Sequence, residues 1–209
     1  MKSVLISIRP QWCEKIANGE KTIEVRKTAP KEVPFKAYIY ATKATKWFHS
    51  GIILTSDELL WLSNGKIKMC DGFELWADGE DYQCVNGKVI GEFICDKVDK
   101  YTFSHYEAEY RVIHVEQDAM CLNQPELIRY GKGETLRGLH IAALKIYDKP
   151  KELSEFRACN FKSMNGTDVC GNYDCKYYQD SGSYMIPPSC EKNGCRITRP
   201  PQNYIYVEE

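Results

Sequence analysis

No stretch of the 209-residue sequence comes near the roughly 18 uninterrupted apolar residues that a membrane-spanning helix needs; the best run, Gly51-Ile-Ile-Leu-Thr55, is broken almost at once. No membrane partner is therefore expected. Excess charge of either sign is also missing, with 28 Lys and Arg against 29 Asp and Glu, formally −1. That balance argues against tight, sequence-blind coating of long nucleic acid. The absence of internal repeats and low-complexity segments leaves no solenoid or linker, and 43% hydrophobic with 27% charged residues is the composition of a folded globular chain. The N-terminus, Met1-Lys-Ser-Val-Leu-Ile-Ser-Ile-Arg-Pro10, lacks a secretory hydrophobic block and a small-residue cleavage site, so a cytoplasmic, reducing setting is expected.

Charge and cysteine are present but unevenly spread. Residues 1–50 hold ten Lys or Arg against four Glu, leaving the remainder acidic, which permits a local anion-binding face near the N-terminus. Five of the ten cysteines, Cys159, Cys170, Cys175, Cys190 and Cys195, fall in the last 51 residues. The scattered ones read as small core hydrophobes.

Val4, Ile6 and Ile8 alternate with Leu5, Ser7 and Arg9, a half-buried strand ended by Pro10. Trp12, Cys13, Ile16 and Ala17 then recur at helical spacing before Asn18-Gly19, predicting a helix over 11–18. Thr22-Ile-Glu-Val-Arg-Lys27 and Lys36-Ala-Tyr-Ile-Tyr-Ala41 read as strands. Thr55-Ser-Asp-Glu58 has the form of a capping box opening a helix that Asn64-Gly65 would close. Residues 73–99 read as a hairpin turning at Asn86-Gly87, and residues 104–111 as helical. A helix over 124–130, a strand over 138–147 and a last strand over 204–207 complete the chain. Strands outnumber helices and connections are short, so the expected class is α+β, mainly β: a small, strongly bent sheet or barrel with short flanking helices.

The densest polar cluster is Gly19-Glu-Lys-Thr-Ile-Glu-Val-Arg26, where a turn delivers Lys21 to a strand that projects Thr22, Glu24 and Arg26 to one side. Such a face can hold a polar base or a phosphate. The plainer reading is a solvated strand face with Glu24 paired to a neighbouring cation. Aromatics able to stack on bases are Trp12, Tyr38, Tyr40, Trp47 and Phe48, although core placement suits most of them as well.

Ile6-Ser-Ile-Arg-Pro10 followed by Gly19-x-Lys21-Thr22-x-Glu24-x-Arg26 resembles the signature of ASCH domains, in the PUA-like superfamily. The stretch Leu139-His-Ile-Ala-Ala-Leu-Lys-Ile-Tyr147 and the tail Arg199-Pro-Pro-Gln202 are similar to later segments of the longer bacterial and phage ASCH proteins. The resemblance implies a PUA-like β-barrel whose basic cleft binds RNA or a modified nucleoside, lined by Arg9, Lys21, Thr22, Glu24, Arg26 and His140. It also implies a hydrolase as an alternative. ASCH-type amidohydrolases acting on N4-acetylcytidine carry Lys-Thr-x-Thr-x-Arg, with the lysine as base and the second threonine as nucleophile; here Lys21 matches, but Glu24 stands at the nucleophile position. Glu24 would then activate water, and Glu107 or Glu109 would have to supply the third catalytic group. Ribonuclease action, using Lys21, Glu24 and Arg26, is a further alternative.

Cys170-x4-Cys175 and Cys190-x4-Cys195 form two pairs in a stretch poor in aliphatic residues. Four thiolates make a closed structural zinc site, with free thiols and disulfides as the other readings and Cys159 able to replace any one ligand. The resulting division is a barrel over 1–156, a Cys-rich appendage or flap over 157–199, and a terminal strand over 200–209 returning to the barrel. The flap offers a third reading, a protein-interaction module.

Overall fold

A computed structural model of the chain describes residues 1–43, 46–49, 52–55, 59–70, 75, 79–106, 109–113, 115–158, 161–164, 167–170, 178–180, 182, 189–190 and 195–208; at 46–49, 52–55, 105–106, 109–110, 161–164, 167–170, 189–190 and 195–196 the backbone alone is described. In chain order the elements begin with β1 (Lys2–Ile8), α1 (Pro10–Ala17), β2 (Ile23–Arg26), β3 (Phe35–Ala41), β4 (Lys46–His49), β5 (Ile52–Thr55), β6 (Leu60–Ser63), β7 (Lys66–Met69), β8 (Gln83–Cys84) and β9 (Val89–Cys95). There follow β10 (Val98–Tyr101), β11 (Phe103–Tyr106), β12 (Glu109–Val112), α2 (Gln117–Met120), α3 (Gln124–Gly131), β13 (Leu136–His140) and β14 (Ala142–Lys151). The rest are short, β15 (Arg157–Ala158), β16 (Phe161–Met164), β17 (Thr167–Cys170), β18 (Tyr178–Gln179), β19 (Ser189–Cys190) and β20 (Cys195–Arg196), before β21 (Tyr204–Glu208).

The fold is mainly β with a few short helices, as expected, and its hydrogen-bonded sheets are open rather than closed into a barrel. The main sheet has the order β14-β9-β3-β1-β21-β15-β20. Strand β1 sits inside it, parallel to β3 and antiparallel to β21, with Val4 opposite Tyr206. A central strand is covered on both faces, which is why β1 is more buried than a half-buried alternation predicts. Val4, Ile6 and Ile8 pack with Phe35, Ala37 and Ile39 beneath α1, while Leu5 on the other face meets Tyr38, Tyr40, Phe156 and Val207. Tyr38 and Tyr40 do share a face, and that face is core: both are buried, Tyr38 with its ring 4.9 Å from Phe156.

Helix α1 forms where predicted. Pro10 occupies its first turn, Cys13 and Ile16 are buried, and the chain leaves through Gly19 at φ +77°. The helix expected near 59–64 is instead the β6–β7 hairpin. Asn64 and Gly65 both take positive φ, 47° and 74°, the geometry of the tight turn that suits the strand twist, and Leu60, Leu62 and Ile67 reach the core by alternation. Residues 56–58 of the proposed capping box lie outside the described residues.

Strands β11 and β12 pair antiparallel, Phe103 opposite Val112, in place of the expected helix; residues 107 and 108 lie outside the described residues. The backbone of Val112 is satisfied by the Gln124 side chain, which gives to its carbonyl and accepts from its amide, so no helical hydrogen bonds are needed there. Strand β9 pairs with β3 and β14 and not with the segment before it, where β8 pairs with β6 and residues 73, 74 and 76–78 lie outside the described residues. The Asn86-Gly87 turn braces the end of β3 instead, with Gly87 N–H donating to the Ala41 carbonyl and Asn86 bonding both Leu60 N–H and the Thr42 carbonyl. The stretch 138–147 divides at Ile141: β13 joins a three-stranded sheet, β10-β13-β2, and β14 edges the main one. Helix α3 and strand β21 stand where predicted, α3 with a capping box between Asn123 and Glu126.

Gly138, in the middle of the three-stranded sheet, has no room for a side chain: a Cβ there would lie 2.5 Å from Tyr101 Cε2 and 2.9 Å from Ile23 Cγ2. Gly138→Ala is expected to lower the unfolding free energy by about 1–3 kcal/mol, read by denaturant titration, because both neighbours are anchored in the core.

Candidate functional site

The site grows from the turn after α1. The amides of Glu20 and Lys21 both donate to the Lys15 carbonyl, which folds the chain back over the end of the helix. The Thr22 amide donates to Ala119 and the Thr22 carbonyl accepts from Ile141, fixing the start of β2 between α2 and the β13–β14 junction. Strand β2 then alternates as predicted. Ile23 and Val25 enter a core with Tyr101, Met120, Leu127 and Leu136, and Glu24 and Arg26 take the opposite face.

That opposite face is not solvated. Lys21, Glu24 and Arg26 are 2%, 5% and 7% exposed, so the reading of an ordinary surface ion pair is overturned. Glu24 lies between the two cations, Oε2 at 3.6 Å from Lys21 Nζ and Oε1 at 3.1 Å from Arg26 Nε. The contact with Arg26 is an ion pair without hydrogen-bond alignment, since Nε has no well-directed acceptor. Each cation is also tied outward: Lys21 Nζ donates to the Met120 carbonyl at the end of α2, and Arg26 Nη2 donates to the Ser7 carbonyl in β1. The indole of Trp12, on α1, lies 5.1 Å from Lys21 Nζ in a cation–π contact.

Burial pushes the Lys21 amine below its ordinary value, with Glu24 opposing the shift and Arg26 adding to it. Beneath the cluster the Cys13 thiol is raised by burial and by the Glu24 charge, which makes it an inert core group. Two cations and one carboxylate out of water leave a formal charge of +1. The arrangement can therefore take an anion, a phosphate or a developing oxyanion, and it holds an amine whose lowered pKa favours the basic form.

The other sequence-predicted residues are placed differently. Arg9 is exposed at the N-cap of α1 and contributes its carbonyl to the first turn; Thr22 is exposed at the mouth of β2. His140 does not join the triad. It pairs in register with Ile23, hence on the face opposite Glu24, where its Nε2 meets Asp99 Oδ2 at 2.6 Å. Burial works to raise the Asp99 carboxyl, but the bonds from His140 and Lys97 outweigh it and hold that group below the usual range. Trp47, Phe48 and Glu109 have no described side chains, and Glu107 lies outside the described residues.

Sequence reasoning missed Tyr130. This tyrosine ends the amphipathic α3 and is 41% exposed, yet its hydroxyl reaches the main chain of Lys27, and Arg26 and Glu24 lie close enough to act on its titration. The available signal was an aromatic just before the helix-ending Gly131. Among the described residues, no helix is long and apolar enough to cross a membrane.

With this geometry in hand, the chain is similar to two solved structures. The crystal structure of ASCH from Zymomonas mobilis shares 15% identity over 73% of this chain and 74% of that one, with a TM-score of 0.42. A point-mutant structure of the same protein shares 16% over 73% and 77%, at 0.40. Both are ASCH structures. No family's sequence model matches the chain, and neither does any curated protein.

Glu24→Gln leaves two buried cations without their carboxylate and is expected to cost about 3–5 kcal/mol of stability by denaturant titration. Lys21 gives a pH signature of definite sign. Its folded-state pKa is lowered, so between that value and the ordinary 10.5 the unfolded chain holds a proton that the native chain has released. Its contribution to stability therefore rises with pH through that window, and the penalty of burying its charge is fully present below it. Lys21→Met should flatten this rise, seen as a smaller stability gain than in wild type as the pH climbs toward the ordinary lysine value of 10.5.

Proposed function

We propose that the protein is an ASCH-type module that binds RNA or a modified nucleoside in the basic site built around Lys21, Glu24 and Arg26, with Trp12 and Tyr130 as flanking aromatics. The observation that carries this reading is the net positive charge buried at the triad. Burying an uncompensated charge is costly, and such clusters concentrate where a ligand or transition state supplies the missing charge. The motif resemblance in β1 and β2 supports the same reading, with Arg9 and Thr22 at the exposed entrance. His140 supports it only through the sheet, since it stands on the other face. A cytoplasmic setting goes with this proposal.

Hydrolysis is the second reading, favoured by one observation, the lowered pKa of Lys21 beside Glu24. A neutral Lys21 would take a proton from water or a hydroxyl, with Arg26 steadying the developing oxyanion. An amidohydrolase acting on N4-acylated cytidine or a ribonuclease would use these groups in this way. Glu24 is already engaged by two cations, which suits an electrostatic role better than attack.

We also propose a structural zinc ion held by Cys170, Cys175, Cys190 and Cys195. In support, Cys170 ends β17, Cys190 ends β19 and Cys195 opens β20, so three of the four mark strand ends; Cys175 lies outside the described residues. Four thiolates would close the coordination shell, leaving no position for a reacting water. The flap then serves as a scaffold, or as the surface of an interaction module.

Purified wild type and Lys21→Ala, screened by mass spectrometry against N4-acylated cytidines and a short RNA, test both readings. Binding without product, weakened at least ~10-fold in Lys21→Ala, is the expected outcome. Product that depends on Lys21 makes the hydrolase reading correct, and absence of both binding and product removes the nucleoside site. Metal analysis of the same preparation is expected to give about one zinc per chain, lost in Cys170→Ser with Cys195→Ser.

A further inference from the structure

The register of the three-stranded sheet places Arg26 directly opposite Arg137, and Arg137 directly opposite Lys100. Directly opposed residues share a face, so three cations stand in one row on the face that carries Glu24. Like charges in this position repel; Glu24 offsets Arg26 at the inner end of the row, and among the described residues no ion pair reaches Arg137 or Lys100. The nearby described acids are occupied elsewhere: Glu134 pairs with Lys27, and Asp99, on the other face, pairs with Lys97 and His140. Exposure is graded along the row, from buried Arg26 through half-buried Arg137 to exposed Lys100. Two strand spacings make the row roughly 10 Å long.

We propose that Arg26, Arg137 and Lys100 form a track for the phosphodiester backbone of single-stranded RNA, running from the exposed β10 edge inward to the buried triad. The ligand is thus an oligonucleotide rather than a free nucleoside, with a base at the triad and the adjoining phosphates over β13 and β10. The inference rests on the reading of the triad as a nucleoside site and extends it outward. Arginine at the centre of the row suits phosphate because its planar fork donates two parallel hydrogen bonds, and the lysine at the rim supplies a point charge. Tyr130, 41% exposed with its hydroxyl at the Lys27 main chain, offers a ring on which an unpaired base can stack, which favours a single strand over a duplex.

The test is fluorescence anisotropy of a labelled oligouridylate of about six nucleotides at several salt concentrations, with calorimetry of cytidine binding alongside. The Lys100→Glu, Arg137→Glu variant is expected to bind the oligomer at least ~10-fold more weakly and to lower the slope of log K against log salt by about 1.4, two single-strand phosphate contacts at ~0.7 each. Cytidine binding should be unchanged. Lys100→Glu alone, at an exposed position that does not threaten the fold, should lower the slope by about 0.7. An unchanged slope in both variants overturns the track while leaving the nucleoside site standing. Equal loss of cytidine and oligomer binding, with an unchanged unfolding midpoint, also overturns it as a separate track. If wild type binds neither probe, both the track and the underlying reading fall.

Discussion

One carboxylate held between two cations out of water is the constraint around which this site is organised. Glu24 cannot be buried alone, and neither can Lys21 or Arg26, so the three form a unit whose outer bonds determine which pieces of the chain must meet. Lys21 requires the end of α2 through the Met120 carbonyl, and Arg26 requires β1 through the Ser7 carbonyl. Trp12 of α1 covers the ammonium. The reverse face of the same strand is apolar, packed on Tyr101, Met120 and Leu136, and this firmness keeps a charged cluster from relaxing into solvent. The apolar core on one side of β2 thus holds in place a costly polar arrangement on the other.

Local signals carried the elements that bear the site. Pro10 and Asn18-Gly19 bracket α1, the alternation of Ile23 and Val25 shows which side of β2 is polar, and Asn123 with Glu126 opens α3. Burial of the polar side was not legible. Alternation separates two faces but does not say what covers each, and the cover here comes from α1, α2 and the end of β1. The same limit explains His140, whose side of the sheet depends on pairing with Ile23 across more than 100 residues of chain.

Where the reading of the elements failed, two local signals competed. Thr55-Ser-Asp-Glu58 resembles a helix start, yet Asn64-Gly65 at positive φ is the stronger instruction, because the hairpin it makes also delivers Leu60 and Leu62 to the core. At 103–112 the aromatic and β-branched residues favour a pleated surface, and the Gln124 side chain then stands in for a neighbouring strand at Val112. Asn86-Gly87 was correctly a turn and wrongly a hairpin, since β9 finds its neighbours far away in sequence.

The position of β21 has its own consequence. Strand β1 lies between β3, about thirty residues away, and β21, whose Tyr206 faces Val4. Its first neighbour is available early in synthesis, but its second arrives only after some two hundred residues have been made. Until then β1 presents an unpaired row of amides and carbonyls beside the apolar Val4 and Ile6, the kind of edge to which another chain can add. Closing that edge means joining the two most distant parts of the described chain, a pairing that carries a large loop-closure cost. A nascent chain of this protein therefore carries an open strand edge until β21 has been made.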